Sequence, residues 1–295
     1  MNVIQIIQLY KESLKEMYHE GELSQLTFMA FEHVKKFSKT DLVLKRDELV
    51  PQEEAIEFNR ILKSLKSHQP IQYVLGYAWF YDLKLKVNSD VMIPRRETEE
   101  LVKWIIDEIE DNEKKATIEL QLLDVCTGSG CIAISLKKNL VHAKAMALDI
   151  SENALALAKE NALMNETEIN FVRADVLQLQ TLPFTPGTFF NIIVSNPPYI
   201  LESEKMQMKK KELDFEPHLA FFVKDQDPLI FYKRIAELAL LHLAKNGKLY
   251  FEINEMKGSG VVELLNQFGF SDVCLRKDFY GKDRMISASL KRTKN

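Results

Sequence analysis

The feature that most constrains the fold of this chain is a regular alternation of short apolar runs with longer amphipathic segments, from residue 118 to residue 290. The run Phe189–Val194 contains aromatic and β-branched residues between turn formers, a pattern that predicts a buried strand. Ala154–Met164 has helical periodicity and predicts a helix. This alternation predicts an α/β fold with helices on both faces of a mostly parallel sheet. The predicted strands are 118–125, 143–148, 169–172, 189–194, 248–253, 272–276 and 285–290, and the predicted helices are 101–109, 132–139, 154–164, 227–243 and 261–268.

The first quarter of the chain contains no chemical motif. Apolar residues recur at helical spacing from Val3 to about Leu65, which predicts a small helical bundle. Within it, we interpret Gly21–Ser24 as a break with Ser24 as an N-cap, and Pro51 as a helix start. Such a bundle either packs against the rest of the chain or docks a partner.

The pattern changes after His68. Leu83–Val87 alternates apolar and polar residues, as a half-exposed strand does, and with the aromatic residues before it predicts a hairpin. We therefore divide the chain into an N-terminal helical bundle (1–67), a β-hairpin linker (68–90) and a larger domain (91–295). If the bundle has a functional role, we expect that role to be substrate docking.

Composition excludes several classes of function. The chain has 295 residues and a net charge of −4, which gives no strong electrostatic bias toward nucleic acid. Its cysteines, Cys126, Cys131 and Cys274, form no metal-ligand spacing, so we expect neither a structural zinc nor a disulfide framework. The N-terminus lacks the pattern of a signal peptide or a membrane span, so we expect a cytoplasmic protein.

Polar residues follow four successive predicted strands. They are the loop Asp124–Gly130, then Asp149, Asp175 and Asn196. In open α/β sheets the ligand crevice lies outside the carboxyl ends of the strands, so these groups are expected to meet there. The small residues of the loop allow a ligand to approach the backbone closely. Asp149 is positioned to accept hydrogen bonds from ribose hydroxyls. Asp149 has the alternative role of a helix N-cap, which Ser151 could equally supply.

The fourth predicted strand ends in the segment Ser195–Tyr199, with the sequence SNPPY. Its prolines have no N–H, so the carbonyls of Asn196 and Pro197 and the Asn196 side-chain oxygen can accept hydrogen bonds without competition. Tyr199 offers a flat ring on which a planar group can stack. The segment therefore suits an amino group on a planar substrate, although Asn and Pro are also ordinary turn residues.

The sequence resembles a class I S-adenosylmethionine-dependent methyltransferase. The features that carry this resemblance occur in order along the chain: the loop DVCTGSG, Asp149, the ADV at residues 174–176 and NPPY. More narrowly, the sequence is similar to the bacterial release factor glutamine methyltransferases. The segments that carry this resemblance are 72–73, 93–95, 97–99, 131–134, 195–200, 216–217, 252–253 and 281–284.

The resemblance implies a Rossmann-like, seven-stranded sheet. It also implies methyl transfer from S-adenosylmethionine to the side-chain amide nitrogen (N5) of the glutamine in the Gly-Gly-Gln motif of class-1 peptide chain release factors. The product is S-adenosylhomocysteine, and the reaction would modulate translation termination. Expected partners are these release factors, without nucleic acid, membrane or metal, and the expected state is a monomer.

The resemblance also implies residue roles. Asn196, Pro197 and Tyr199 are the expected catalytic residues, and together with Pro198 they bind the substrate amide. The expected cofactor-binding residues are Cys126, Thr127, Gly128, Ser129, Gly130, Asp149, Asp175, Val176 and Asn196.

The sequence departs from the family pattern at two positions. Cys126 stands where the loop usually has Gly, and Arg96 where Pro is usual. Cofactor binding is expected to survive at Cys126 if that position does not require a positive φ. Arg96 affects the expected loop shape and not the chemistry.

Three other functions fit parts of the pattern. NPPY also suits exocyclic amines of DNA or RNA bases, which methyltransferases extrude before reaction, but the chain lacks a basic, aromatic-rich recognition region. A glutamine of a ribosomal protein is a second alternative substrate. A non-catalytic binding protein is the third, and the intact NPPY and Asp149 count against it.

Overall fold

A computed structural model describes residues 1–113, 120–208 and 210–290. The start of the predicted strand 118–125 lies outside these residues. The helices are α1 Val3–Leu14, α2 Glu20–Lys35, α3 Lys39–Leu44, α4 Gln52–Lys66, α5 Ile71–Leu75, α6 Arg96–Glu113, α7 Cys131–Asn139, α8 Glu152–Met164, α9 Lys210–Phe215, α10 Ile230–His242 and α11 Gly258–Gln267. The strands are β1 Tyr77–Phe80, β2 Leu83–Lys86, β3 Gln121–Val125, β4 Lys144–Asp149, β5 Ile169–Arg173, β6 Phe190–Ser195, β7 Ile200–Leu201, β8 Phe222–Val223, β9 Leu243–Glu252, β10 Ser271–Lys277 and β11 Asp283–Ser289.

The chain divides into two compact units. The first contains Met1–Tyr77 and Lys209–Phe215, and the second contains Ala78–Met208 and Glu216–Asn295. The first unit is a helical bundle whose core includes the buried side chains of Tyr10, Phe31 and Leu65. The predicted helical character of this region is therefore confirmed.

The predicted break at Gly21–Ser24 is wrong, because α2 runs through it from Glu20 and its N-cap is His19. The helix tolerates Gly21 because the residue lies in the first turn, where the chain is least constrained. Ser24 is thus a helical residue and not a cap. The start of α4 directly after Pro51 is as predicted.

The second unit is built on a mixed sheet. Within the described residues, seven strands lie in the order β10-β11-β9-β6-β3-β4-β5. The strands from β9 to β5 pair in parallel, whereas β11 is antiparallel to both β9 and β10. The predicted α/β class and seven-stranded sheet are confirmed.

Successive residues of the central strands β3 and β6 pack into two separate hydrophobic cores, one on each face of the sheet. Leu122 and Ile192 pack with α6 and α7 on one face, and Leu123 and Ile193 pack with α10 and α11 on the other. This alternation follows from the two-residue period of a strand. Both faces are therefore covered, and the carboxyl ends of the strands remain the accessible edge for chemistry.

A two-residue turn joins β1 to β2. Tyr81 and Asp82 have φ values of 46° and 61°, and positive φ at both positions suits the right-handed twist of a hairpin. The buried side chain of Asn161 on α8 holds β2, accepting from Lys86 N at 2.6 Å and donating to Lys86 O at 3.0 Å. It also donates to Ser129 O at 3.0 Å. One amide therefore connects the hairpin to the loop that follows β3.

None of the helices in the described parts of the chain is both long and apolar enough to cross a membrane.

Candidate active site

The loop between β3 and α7 is organised by the buried carboxylate of Asp124. Its Oδ2 accepts a hydrogen bond from Thr127 Oγ1 at 2.6 Å and another from Ala133 N at 3.2 Å. Burial raises the pKa of Asp124 to about 7, although both hydrogen bonds oppose that rise. Asp124 thus fixes the loop from inside the protein.

Three residues of this loop adopt left-handed backbone conformations. The φ values are 62° at Cys126, 55° at Gly128 and 82° at Gly130. A Cβ on Gly130 would lie 2.9 Å from Ile134 Cδ1 and 3.2 Å from Ala158 Cβ, so α7 and α8 leave no room for a side chain there. A Cβ on Gly128 would meet nothing within 4 Å.

The expectation that cofactor binding survives at Cys126 holds only if that position does not require a positive φ. The backbone at Cys126 does have a positive φ, so this condition is not met. A non-glycine residue in this conformation costs about 1–2 kcal/mol. The loop keeps the shape that glycine would favour, with backbone strain at Cys126. Arg96, the other departure from the family pattern, begins α6, and the first position of a helix accepts Pro or Arg.

Asp149 bridges two loops at the end of β4. Its Oδ2 accepts from Gly128 N and its Oδ1 from Ser151 N, both at 2.9 Å. The N-cap of α8 is Ser151, whose Oγ accepts from Ala154 N at 3.2 Å. Asp149 is therefore not the helix cap, and its carboxylate retains lone pairs for a ligand. Burial raises its pKa, against the hydrogen bonds from these backbone amides.

Asp175 and Val176 follow β5. Asp175 Oδ1 accepts from Leu177 N at 3.0 Å, which forms a tight turn. Val176 is buried beside it. An apolar surface and a carboxylate are thus presented side by side, as expected from the sequence.

Asn196 follows β6, where Ser195 Oγ donates to Val125 O at 2.6 Å and ties the two central strand ends together. Asn196 Nδ2 donates to Thr98 Oγ1 at 3.3 Å, and Thr98 Oγ1 donates to Glu252 Oε2 at 2.6 Å. Tyr199 OH donates to the other oxygen of Glu252 at 3.1 Å. One buried carboxylate thus connects both side chains expected to contact the substrate.

Sequence reasoning assigned no role to Thr98 or Glu252, although both lie in segments that carry the family resemblance. The available signal was Glu252 itself, a charged residue at the end of the apolar run Tyr250–Phe251. A carboxylate is rarely buried without partners. The sequence alone does not say that Thr98 is such a partner.

These strand ends border a cavity of about 410 Å³, within the usual range of small-molecule sites. The expected site residues that line it are Cys126, Thr127, Gly128, Ser129, Asp149, Asp175, Val176, Asn196 and Pro198. Gly130, Pro197 and Tyr199 are not among the lining residues. Lining residues not expected to bind ligand include Met92, Pro94, Thr98, Leu219 and Phe231.

Two family models match the sequence. One, described as PrmC N-terminal domain, matches residues 5–76, and the other, described as Methyltransferase small domain, matches residues 104–213.

Two curated relatives match nearly the whole chain. A protein of Flavobacterium psychrophilum is 44% identical over 283 residues, which cover 96% of this chain and 97% of the relative. A protein of Bacteroides thetaiotaomicron is 41% identical over 279 residues, which cover 95% and 97%. Both are named release factor glutamine methyltransferase.

A solved structure shares the fold at low identity. It is the hMettl16 catalytic domain in complex with MAT2A 3′UTR hairpin 1, with a TM-score of 0.56, 16% identity and coverage of 91% of this chain and 90% of that chain. At this identity the likeness shows the α/β fold alone.

Proposed function

The chain belongs to the release factor glutamine methyltransferase family, and we propose that it catalyses the following reaction. It transfers the methyl group of S-adenosylmethionine to the side-chain amide nitrogen of the glutamine in the Gly-Gly-Gln motif of a class-1 peptide chain release factor. The observation that carries the proposal is the 44% identity, over 96% of this chain, to a relative named for this activity.

The cavity residues fit S-adenosylmethionine. Asp149 has lone pairs left for the ribose hydroxyls, and Val176 with Asp175 suits the adenine edge. Gly128 leaves open space, and the buried Ser129 Oγ has no hydrogen-bond partner in the described structure, so both suit the methionine part. S-adenosylmethionine, when bound, supplies an activated methyl group on a sulfonium.

The residues of the chain orient the acceptor nitrogen. An amide nitrogen is a weak nucleophile because its lone pair is delocalised into the carbonyl. Asn196 Oδ1 and the Pro197 carbonyl accept its two N–H groups, direct it toward the methyl group and stabilise the positive charge that grows on it. Tyr199, whose hydroxyl donates to Glu252, is expected to place its ring against the amide plane when the substrate binds. Neither Pro197 nor Tyr199 lines the cavity, so both of these roles rest on the resemblance of NPPY to the family motif.

The rest of the assignment follows from this substrate. The helical bundle docks the release factor, and the enzyme acts in the cytoplasm, where translation terminates. A monomer suffices because one chain supplies every side chain invoked here. Nucleic acid is not the favoured substrate because the net charge is −4 and the relatives named above are protein methyltransferases.

The test is transfer of label from methyl-labelled S-adenosylmethionine to purified, unmethylated release factor. A release factor with Gln→Ala in its Gly-Gly-Gln motif is the matched control, and DNA, ribosomal RNA and ribosomal protein run in parallel. We expect label on the intact release factor only. Label on nucleic acid or ribosomal protein, with none on the release factor, would contradict the proposed substrate.

A further inference from the structure

The register of the sheet brings three residues from distant parts of the sequence together beside the cavity, where two of them, Thr98 and Asn196, line it. β6 pairs with β9 so that Ser195 lies opposite Phe251. The next residue of each strand end, Asn196 and Glu252, therefore lies on the same edge. The first turn of α6 inserts Thr98 between them, with a side chain only 1% exposed.

The hydrogen bonds among these residues have a fixed direction. Thr98 has one hydroxyl hydrogen, and it donates that hydrogen to Glu252 Oε2 at 2.6 Å. Its oxygen is then only an acceptor, and Asn196 Nδ2 donates to it at 3.3 Å. If the Asn196 amide turned over, Oδ1 would face an oxygen with no hydrogen to offer, so two acceptors would meet.

This direction belongs to the ionised form of Glu252, whose two oxygens can only accept hydrogen bonds. The carboxylate is 1% exposed and accepts from Thr98 on one oxygen and from Tyr199 on the other. Burial raises the pKa of Glu252. The hydrogen bonds from Thr98 and Tyr199 and the charge of Arg284 oppose that rise and favour the ionised form, whereas Glu97 adds to it. Breaking one of these bonds would leave a buried polar group unpaired, at a cost of about 1–3 kcal/mol.

We propose that Thr98 and Glu252 are positioning residues, which hold the Asn196 amide with its oxygen toward the substrate and thereby select a hydrogen-bond donor there. This inference rests on the proposed function, because it names how that site distinguishes a glutamine from a glutamate. A glutamine amide donates two hydrogens to the acceptors at Asn196 and Pro197, whereas a glutamate carboxylate has only acceptors to offer. Thr98 and Glu252 thus act on the selection through the orientation of Asn196.

Two variants separate this role from simple packing. Thr98→Val keeps the size of the side chain and removes the hydroxyl, whereas Thr98→Ser keeps the hydroxyl and removes a methyl group. We expect Thr98→Val to lower kcat at least about tenfold, since small errors in orientation reduce the rate steeply. Thr98→Ser should stay close to wild type, and both variants should bind S-adenosylmethionine as the wild type does.

The second readout is binding selectivity in the presence of S-adenosylhomocysteine. The ligands are intact release factor and its Gln→Glu variant in the Gly-Gly-Gln motif. Thr98→Val should reduce the preference for glutamine at least about tenfold, because a freed Asn196 can turn its Nδ2 toward a carboxylate. Equal selectivity in Thr98→Val and wild type would overturn the proposal.

The third readout, NMR of the Asn196 side-chain NH₂ group in the enzyme alone, does not depend on any substrate. The hydrogen-bonded proton should be protected from exchange in wild type and Thr98→Ser, and lose that protection in Thr98→Val. Unchanged protection in Thr98→Val would overturn the orientation by Thr98. Failure of the wild type to methylate release factor would instead overturn the proposed function, so the two failures are distinguishable.

Discussion

At the scale of single residues, three buried or half-buried carboxylates hold the candidate site together. Asp124, Asp149 and Glu252 each accept hydrogen bonds from two groups on different parts of the chain. Burial raises the pKa of each of them. Methyl transfer leaves the amide nitrogen with one proton in excess, which it releases to solvent after the transfer. Because Asp124 and Glu252 do not line the cavity and Asp149 is assigned to the ribose, we assign these carboxylates to positioning.

The backbone at Cys126 gives the first prediction. Cys126→Gly should change the free energy of unfolding by less than about 1 kcal/mol, because relief of left-handed strain offsets the lost packing. Cys126→Val should lower it by more than about 2 kcal/mol, because a β-branched residue resists positive φ more strongly. Urea unfolding measures the free energy of unfolding of both variants. A valine variant as stable as wild type would show that the backbone at Cys126 is not strained.

Asp149 gives the second prediction, on ligand affinity. Asp149→Asn should weaken S-adenosylmethionine binding about 10–100-fold, the scale of hydrogen bonds to a charged group. The asparagine also keeps only one acceptor atom for the N–H groups of Gly128 and Ser151. Calorimetric titration measures the change, and Glu152→Gln, at an exposed carboxylate nearby, is the control that should bind normally. An unchanged dissociation constant in Asp149→Asn would remove Asp149 from the site.

At the scale of helices and strands, the sequence predicts the type of most elements in the second unit and places most of their ends within a few residues. The predicted helix 101–109 is too short at both ends, because α6 runs from Arg96 to Glu113. Strands with one apolar run, such as β6, are found where expected. β9 begins at Leu243, five residues before its predicted start at Lys248, with Asn246 at a φ of 62° and an irregular register against β6. Such an irregularity is set by the neighbouring strand and has no periodic signal in the sequence.

The hydrogen bonds from the Asn161 side chain on α8 to β2 and to the loop after β3 give the third prediction. Asn161→Ala should lower the free energy of unfolding by about 2–4 kcal/mol, because it removes three hydrogen bonds and leaves buried backbone groups unpaired. Glu160→Ala is the matched control on the same helix. It removes an exposed ion pair with Lys86, and such pairs contribute about 0–1 kcal/mol. A similar loss of unfolding free energy in both variants would show that the hydrogen bonds of Asn161 do not contribute the expected stability.

At the scale of the whole molecule, the site depends on contacts between residues far apart in the sequence. The polar strand ends of one sheet edge were predictable, because parallel strands share the direction of their carboxyl ends. The Thr98–Glu252–Asn196 connection was not, because it requires the pairing of β6 with β9 and the entry of α6 beside them. The expected domain limits at 67 and 90 stay predictions.

Asp124 gives the fourth prediction, on the pH dependence of unfolding. Its pKa is about 7 in the folded chain and near 3.8 when unfolded, so between these values the folded state binds more protons. The free energy of unfolding therefore falls as pH rises from about 4 to about 7, at up to about 1.4 kcal/mol per pH unit. Asp124→Asn should lack this contribution. Urea unfolding of wild type and Asp124→Asn across this range should show that the difference between their free energies of unfolding changes with pH. A constant difference would contradict the raised pKa of Asp124.

In the proposed reaction, the acceptor groups around Asn196 direct a glutamine amide toward methylation. The most direct measurement is tandem mass spectrometry of release factor after incubation with S-adenosylmethionine and either wild type or Asn196→Ala, with cofactor binding checked for both. We expect one methyl group on the side-chain nitrogen of the Gly-Gly-Gln glutamine with wild type. With Asn196→Ala we expect a rate lower by at least about 100-fold and cofactor binding retained. A methyl group elsewhere on the release factor would contradict the proposed substrate glutamine, and near-normal turnover by Asn196→Ala would contradict the role of Asn196.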